Sequence, residues 1–135
     1  MTEAAVARVA LVDDDDLFRE SLSLNLADEG YEVITFDRGE PALDFFAEGG
    51  SVDIVLLDWR MPMMDGMDFL DQLKQMADGD HPKILFCSME TDPAHIARAL
   101  AAGADDYVMK PFDGDILQSK IDEIGALQNG LGHAA

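Results

Sequence analysis

The sequence predicts an α/β domain, a parallel sheet wound on both faces by helices. Three observations carry this. Short apolar runs alternate five times with segments of helical periodicity, the pattern of βα units joined by right-handed crossovers. The middle run, Ile54 to Leu57, is apolar without a break, as strands covered on both faces are. Finally, several runs end in a polar residue (Asp13, Asp58, Ser88, Lys110). These fall on the carboxyl edge of the sheet, where open α/β folds bind ligands.

Each element has its own signals. Val9 to Val12 reads as the first strand and runs into four aspartates, Asp13 to Asp16. Leu17, Phe18, Leu22 and Leu26 then mark a helix that Asp15 or Asp16 caps, with Gly30 as its stop. Tyr31 to Phe36 is strand-like. Pro41 suits a first helical position, Leu43, Phe45 and Phe46 give the second helix its core face, and Gly49 and Gly50 end it. After the central strand comes a loop, Trp59 to Gly66, and a third helix marked by Phe69, Leu70, Leu73 and Met76. Lys83 to Cys87 is the fourth strand, ending at Ser88. Thr91, Asp92 and Pro93 start the fourth helix, with Ile96 and Leu100 inward and Gly103 as the stop. Asp106 to Met109 is the fifth strand, and Asp113 caps a last helix carrying Ile116, Leu117, Ile121, Ile124 and Leu127. Residues 1–7 read as a disordered tail, 8–127 as one domain, and 128–135 as a Gly-containing flexible tail.

Composition narrows the function classes. Of 135 residues, 28 are acidic and 9 basic, a formal net charge of −19. That opposes binding to nucleic acid or an anionic membrane, where phosphate contacts need Lys and Arg. It favours cations or basic protein surfaces. The lone Cys87 rules out an internal disulfide or a multi-cysteine metal site and suits a reducing compartment. Read as the end of an apolar strand, it is a buried, inert thiol. No signal peptide and no span of 18 apolar residues is seen. His81 and His95 have no paired ligand spacing.

The strand ends then assemble a chemistry. Asp13, Asp14 and Asp58 bring three carboxylates to one edge, which cannot all stay ionised without compensation. Such oxygen donors suit Mg²⁺, Lys110 adds a fixed positive charge, and Ser88 a hydroxyl. The set matches phosphoryl transfer to a carboxylate. Each residue also has a plainer reading. Asp13 to Asp16 taken alone reads equally as an acidic helix start, Ser88 as a loop hydroxyl, Lys110 as a solvated strand end, and Tyr107 as a half-buried strand aromatic. Met61, Met63, Met64 and Met67 read as loop and core filling or as an adaptable partner surface.

The motifs VALVDDDD, DIVLLDWRMPMMDG, ILFCSMET and GADDYVMKPF, in this order and spacing, make the chain resemble a receiver domain of two-component response regulators, over residues 8–127. The resemblance implies the flavodoxin-like, CheY-like (βα)5 fold with strand order 2-1-3-4-5. It implies Asp58 as the acceptor of a phosphoryl group from a histidine kinase. It implies Mg²⁺ held by Asp13, Asp14, Asp58 and the backbone carbonyl of Arg60, with Asp14 the more direct ligand. Ser88 is then the switch hydroxyl, Tyr107 the coupled aromatic that packs inward, and Lys110 the phosphate partner, with a cis bond to Pro111. The expected output is a changed face of the fourth helix, fifth strand and fifth helix, on a monomer or a weak dimer through that face. The chain is expected to be a bacterial, cytoplasmic signalling protein and not an enzyme in its own right.

Three functions stay in view. The first is a stand-alone chemotaxis receiver that binds a flagellar motor switch protein. The second is a phosphorelay or stress-pathway receiver that binds a phosphotransferase or kinase. With no basic stretch after residue 128, DNA binding is not expected. The third is a Mg²⁺-dependent aspartyl phosphatase, which normally wants a second Asp two residues after the nucleophile, where Arg60 stands. A flavin or dinucleotide site is disfavoured because the first strand–helix turn is acidic rather than Gly-rich. Arg60 and Glu90, two residues past Asp58 and Ser88, are expected to pair over the acceptor and slow attack by water. Such an exposed pair contributes about 0–1 kcal/mol.

Overall fold

The computed structural model describes residues 7–61, 63–76, 82–89, 92–110, 112 and 114–124. Pro111 and its peptide bond, Glu90, Thr91, His81, Asp113, Leu127 and both chain ends outside 7–124 lie outside them.

Ten elements alternate strictly: β1 (Arg8–Val12), α1 (Asp16–Asp28), β2 (Glu32–Phe36), α2 (Gly39–Ala47), β3 (Ile54–Asp58), α3 (Gly66–Met76), β4 (Lys83–Ser88), α4 (Pro93–Ala101), β5 (Asp106–Met109) and α5 (Gly114–Ile124). Caps follow local chemistry. Asp15 accepts the Phe18 N–H at the start of α1, and Asp92 accepts the Ala94 N–H before Pro93. These satisfy helix donors that no carbonyl reaches. After α1 the chain turns at Gly30 with φ +98°, a conformation that glycine adopts without steric cost. Helix α2 starts earlier than Pro41 suggests, and Arg38 at its N-cap makes no side-chain cap.

The strands form one parallel sheet in the order β2-β1-β3-β4-β5, the flavodoxin-like arrangement. Alternation splits the core into two layers. Ala10, Val12, Val55, Leu57, Ile84, Phe86 and Tyr107 face α2, α3 and α4, where Phe69, Leu70 and Ala99 meet them. Val9, Leu11, Ile54, Leu56, Leu85, Cys87 and Val108 face α1 and α5, meeting Leu22, Leu26, Leu117 and Ile121. All five residues of β3 are buried, since it lies mid-sheet under both layers. Each large aliphatic or aromatic side chain so buried contributes about 1.5–3 kcal/mol.

Several side chains sit differently from their sequence pattern. Leu17 is 80% exposed, and Leu100 and Ile116 are also exposed. In α4 the buried residue is Ala99, with Ile96 half-buried; a small residue there brings the helix close to the sheet and turns its neighbour Leu100 outward. Ala7, placed in the tail by sequence, is buried, and its carbonyl accepts from Glu32 N–H. Cys87 is buried and burial pushes its thiol pKa up, so it stays a protonated thiol, as read. No helix among the described residues is long and apolar enough to cross a membrane.

Candidate phosphoacceptor site

Side-chain alternation and register build the site. Val9 and Leu11 face the α1/α5 layer, and the next residue of that parity is Asp13. On β3 the parity runs Ile54, Leu56, Asp58, and on β5 it runs Val108, Lys110. Val12 lies beside Leu57, Asp58 beside Cys87, and Ser88 beside Met109. The strand ends are therefore level, and Asp13, Asp58 and Lys110 converge. Ser88 follows Ile84 and Phe86 on the opposite parity, so it approaches from the α3/α4 side. Backbone bonding ties the last two strands together here, since Lys110 N–H donates to the Ser88 carbonyl at 2.8 Å.

The geometry is compact. Lys110 Nζ donates to Asp13 Oδ2 at 2.7 Å and to Asp58 Oδ1 at 3.4 Å. The other oxygen of Asp13, Oδ1, accepts Asp15 N–H at 2.9 Å. Asp13 is 1% and Asp58 8% exposed, whereas Asp14 stands at the exposed rim. One carboxylate oxygen from each of Asp13, Asp14 and Asp58 lies within 4.8 Å of the others. Above them opens a cleft of about 460 Å³ lined by Asp14, Asp15, Asp58, Arg60, Ser88 and Lys110, with exposed Met89 beside it.

The electrostatics follow from this crowding. Burial and the Asp13 charge push the Asp58 carboxyl up to about 7, against the opposing pull of Lys110. Burial alone would lower Lys110, but its hydrogen bond to Asp13 and the charges of Asp58 and Asp13 outweigh that and hold its pKa above the ordinary value. Lys110 and Arg60 against Asp13, Asp14, Asp15 and Asp58 leave the cleft net negative. Hard oxygen donors, two of them buried, with a net negative balance, are a donor set that fits a small divalent cation such as Mg²⁺.

Asp14, Asp58, Ser88, Lys110 and Arg60 thus meet at one cleft, with the buried Asp13 bonded to Lys110. Tyr107 does not line it. It is 6% exposed and packs in the α3/α4 layer. Glu90 and Pro111 lie outside the described residues, and the Arg60–Glu90 pair with them.

Other functional neighbours went unread in the sequence. Arg19 Nη1 donates to the Asp13 backbone carbonyl at 2.7 Å, and Nη2 to Asp16 at 2.6 Å, fixing the turn that carries the acids. One signal was available: a cation near a helix N-terminus opposes the dipole and needs a local acidic partner. Phe18 brings its ring under Lys110, 4.2 Å from Nζ to centroid, and no sequence pattern marks that.

Comparison with known proteins agrees with this geometry. A family model described as "Response regulator receiver domain" matches residues 9–122. The chain is 34% identical over 132 residues to the transcriptional regulatory protein CseB of Streptomyces avermitilis, covering 98% of this chain and 53% of that protein. It is 26% identical over 128 residues to a chemotaxis protein CheY homolog of Campylobacter jejuni, covering 94% of this chain and 98% of the other. The chain therefore spans about half the length of its transcriptional relatives and nearly all of a chemotaxis one. The solved structure of the Vibrio cholerae chemotaxis protein CheY4 superposes with a TM-score of 0.81 at 32% identity, covering 89% of this chain and 99% of that one. On its matched motifs, its strand order and its converging strand-end acids, this chain belongs to the response regulator receiver domain family.

Proposed function

We propose that the chain accepts a phosphoryl group on Asp58 from a phosphohistidine of a histidine kinase and passes the signal on by binding a protein partner. One observation carries the reading: the Asp58 carboxylate, at an open cleft, lies within reach of a Lys110 ammonium that bridges it to Asp13. An Asp58 carboxylate oxygen attacks phosphorus, the P–O bond forms as the donor's P–N bond breaks, and the electron pair leaves with the imidazole. Lys110 stays protonated and compensates the charge gathering on the phosphoryl oxygens. Ser88, at the cleft wall, donates its hydroxyl to one of those oxygens. Asp13, Asp14 and Asp58, with the Arg60 carbonyl, would hold Mg²⁺, which supplies further neutralisation of phosphoryl charge when bound.

The output reading is coupled to the same cleft. Added phosphoryl charge and acceptor oxygens draw Ser88 and Lys110 together, and the α4–β5–α5 face shifts population according to its differential affinity for the two forms. We favour the chemotaxis type, with a flagellar motor switch protein as partner, on the likeness in fold and sequence to the chemotaxis protein CheY4. A phosphorelay receiver serving a phosphotransferase is the second reading. Phosphorylated protein capturing a motor-switch peptide supports the first; transfer of its label to a histidine phosphotransferase supports the second. The net charge of −19 opposes direct nucleic-acid binding by this domain. With Arg60 in place of a second acid, stoichiometric labelling rather than phosphatase turnover is expected, and a generic phosphomonoester should not be hydrolysed.

The deciding experiment is mass spectrometry after incubation with Mg²⁺ and acetyl phosphate. A phosphoryl adduct on wild type and none on Asp58→Ala is the expected result. No adduct on wild type, with acetyl phosphate or with a kinase, overturns the reading.

A further inference from the structure

The Lys110 ammonium has a third close neighbour beside its two carboxylates. The Phe18 ring lies beneath it, 4.2 Å from Nζ to ring centroid. Phe18 belongs to the first turn of α1, and its ring meets Phe112 edge-on, with centroids 5.6 Å apart and planes at 83°. Phe112 follows Lys110 by two residues, and both rings are half-buried against the α1/α5 layer. The ring under the ammonium is therefore locked from α1 on one side and from the chain after β5 on the other.

This arrangement answers a specific difficulty. A lysine stem has several rotatable bonds, and the cleft offers other acids, Asp14 and Asp15, toward which the ammonium can swing. Another carboxylate placed to hold it would cancel the charge that the incoming phosphoryl oxygens need. An aromatic face attracts a cation within about 6 Å through its quadrupole while leaving the full charge in place. Phe18 is the one aromatic that the structure places against Nζ among the described residues. An aliphatic side chain there would fill the same space and supply no negative face.

We propose that Phe18, held edge-on by Phe112, is a positioning residue for phosphoryl acceptance: its ring seats the Lys110 ammonium between Asp13 and Asp58 without neutralising it. The role rests on the phosphoacceptor reading. The bond changes are those given above for a phosphohistidine; with acetyl phosphate the donor's P–O bond breaks instead and the electron pair leaves with acetate, and Phe18 touches none of the reacting atoms.

The test uses the full chain and three measurements. Labelling rates with acetyl phosphate at saturating Mg²⁺ are compared for wild type, Phe18→Leu, Phe18→Trp and a series with increasingly fluorinated phenylalanine at position 18, which weakens the ring's negative face at nearly constant shape. The ring-current shift of the Lys110 ε-methylene protons is read by NMR without metal, and thermal stability is recorded for each variant. Phe18→Leu is expected to label roughly threefold to tenfold more slowly, to lose the upfield shift, and to be rescued by Phe18→Trp. Across the fluorinated series the rate should fall stepwise while Tm stays level; should Phe18→Leu fold poorly, this series decides. Equal rates in wild type and Phe18→Leu, or a flat series, overturn the positioning role while leaving Asp58 as acceptor. Absence of labelling in wild type itself overturns the phosphoacceptor reading and the positioning role with it.

Discussion

Trp59 and His95 lie face to face, with ring centroids 3.4 Å apart and planes 31° from parallel. Trp59 follows Asp58 directly, and His95 sits in the first turn of α4. On Trp59's other contacts, Phe86 lies at 5.2 Å and the Arg98 guanidinium at 5.8 Å from its ring. The end of the acceptor strand is therefore joined to α4 through Trp59, which meets both His95 and Arg98 of that helix, a short path from Asp58 to the proposed output face.

Removing that stack should loosen α4 without touching the acid cluster. His95→Ala is expected to cost about 0.5–1.5 kcal/mol and to shift the emission of Trp59, the sole tryptophan, to longer wavelength as water gains access. Urea unfolding followed by fluorescence reads both. Unchanged stability and unchanged emission would show that the contact carries nothing.

Stability should also depend on pH through Asp58. Its folded pKa is raised from 3.8 to about 7, first by burial and then by the Asp13 charge. A carboxyl with a raised folded pKa binds its proton more tightly in the native state. Its contribution is thus fully present below pH 3.8 and is lost as pH rises through about 7. In the presence of a chelator, wild type is expected to lose stability between about pH 4 and 7 relative to Asp58→Asn, which lacks the titrating group. Denaturant midpoints across that range check this; parallel pH profiles for the two proteins would contradict it.

The contrast between Asp58 and Phe18 shows which parts of the site were legible in sequence. Asp13, Asp58, Ser88 and Lys110 end strands, and strand parity with parallel register is enough to bring strand ends to one edge. Phe18, Arg19 and His95 act from helices, where the outcome depends on how each helix is rolled and how closely it approaches the sheet. Those quantities come from packing. The same limit explains Leu100: its spacing suits a core position, but α4 approaches through Ala99 and rotates Leu100 outward. Tyr107 was legible as a strand residue, while its inward orientation depends on the α3/α4 layer around it.

Divalent metal should stabilise the fold in proportion to occupancy. Mg²⁺ at about 100 times its Kd should add about 2.7 kcal/mol by mass action. Asp14→Ala, at the exposed rim, is expected to abolish most of the Tm shift while folding normally. Arg19→Ala keeps all three carboxylates but frees the Asp13 carbonyl from its 2.7 Å bond, and should weaken the Mg²⁺ midpoint by about tenfold, as lost support of a ligand does. Titrations monitored by Tm separate the two. An Arg19→Ala midpoint equal to wild type would show that the turn holds its shape unaided.

The most local test of how the fold places Asp58 is Gly66, the first residue of α3. Its N–H donates to the Trp59 carbonyl at 2.7 Å, so the helix start lies hard against the end of β3. A Cβ added there would fall 2.6 Å from the Asp58 carbonyl oxygen, 2.6 Å from the Phe86 ring and 3.0 Å from Trp59 Cα. Two of these three obstacles are backbone at the acceptor itself, so relief requires moving β3's end or withdrawing α3, while Phe86 is fully buried and has little room. Gly66→Ala is therefore expected to cost about 1–3 kcal/mol and to slow Asp58 labelling by more than its unfolded fraction explains, because the displaced group carries the acceptor. Measuring the labelling rate well below the melting transition isolates that effect. A Gly66→Ala protein that is destabilised yet labels at the wild-type rate would mean that the strain relaxes into α3 and leaves Asp58 in place.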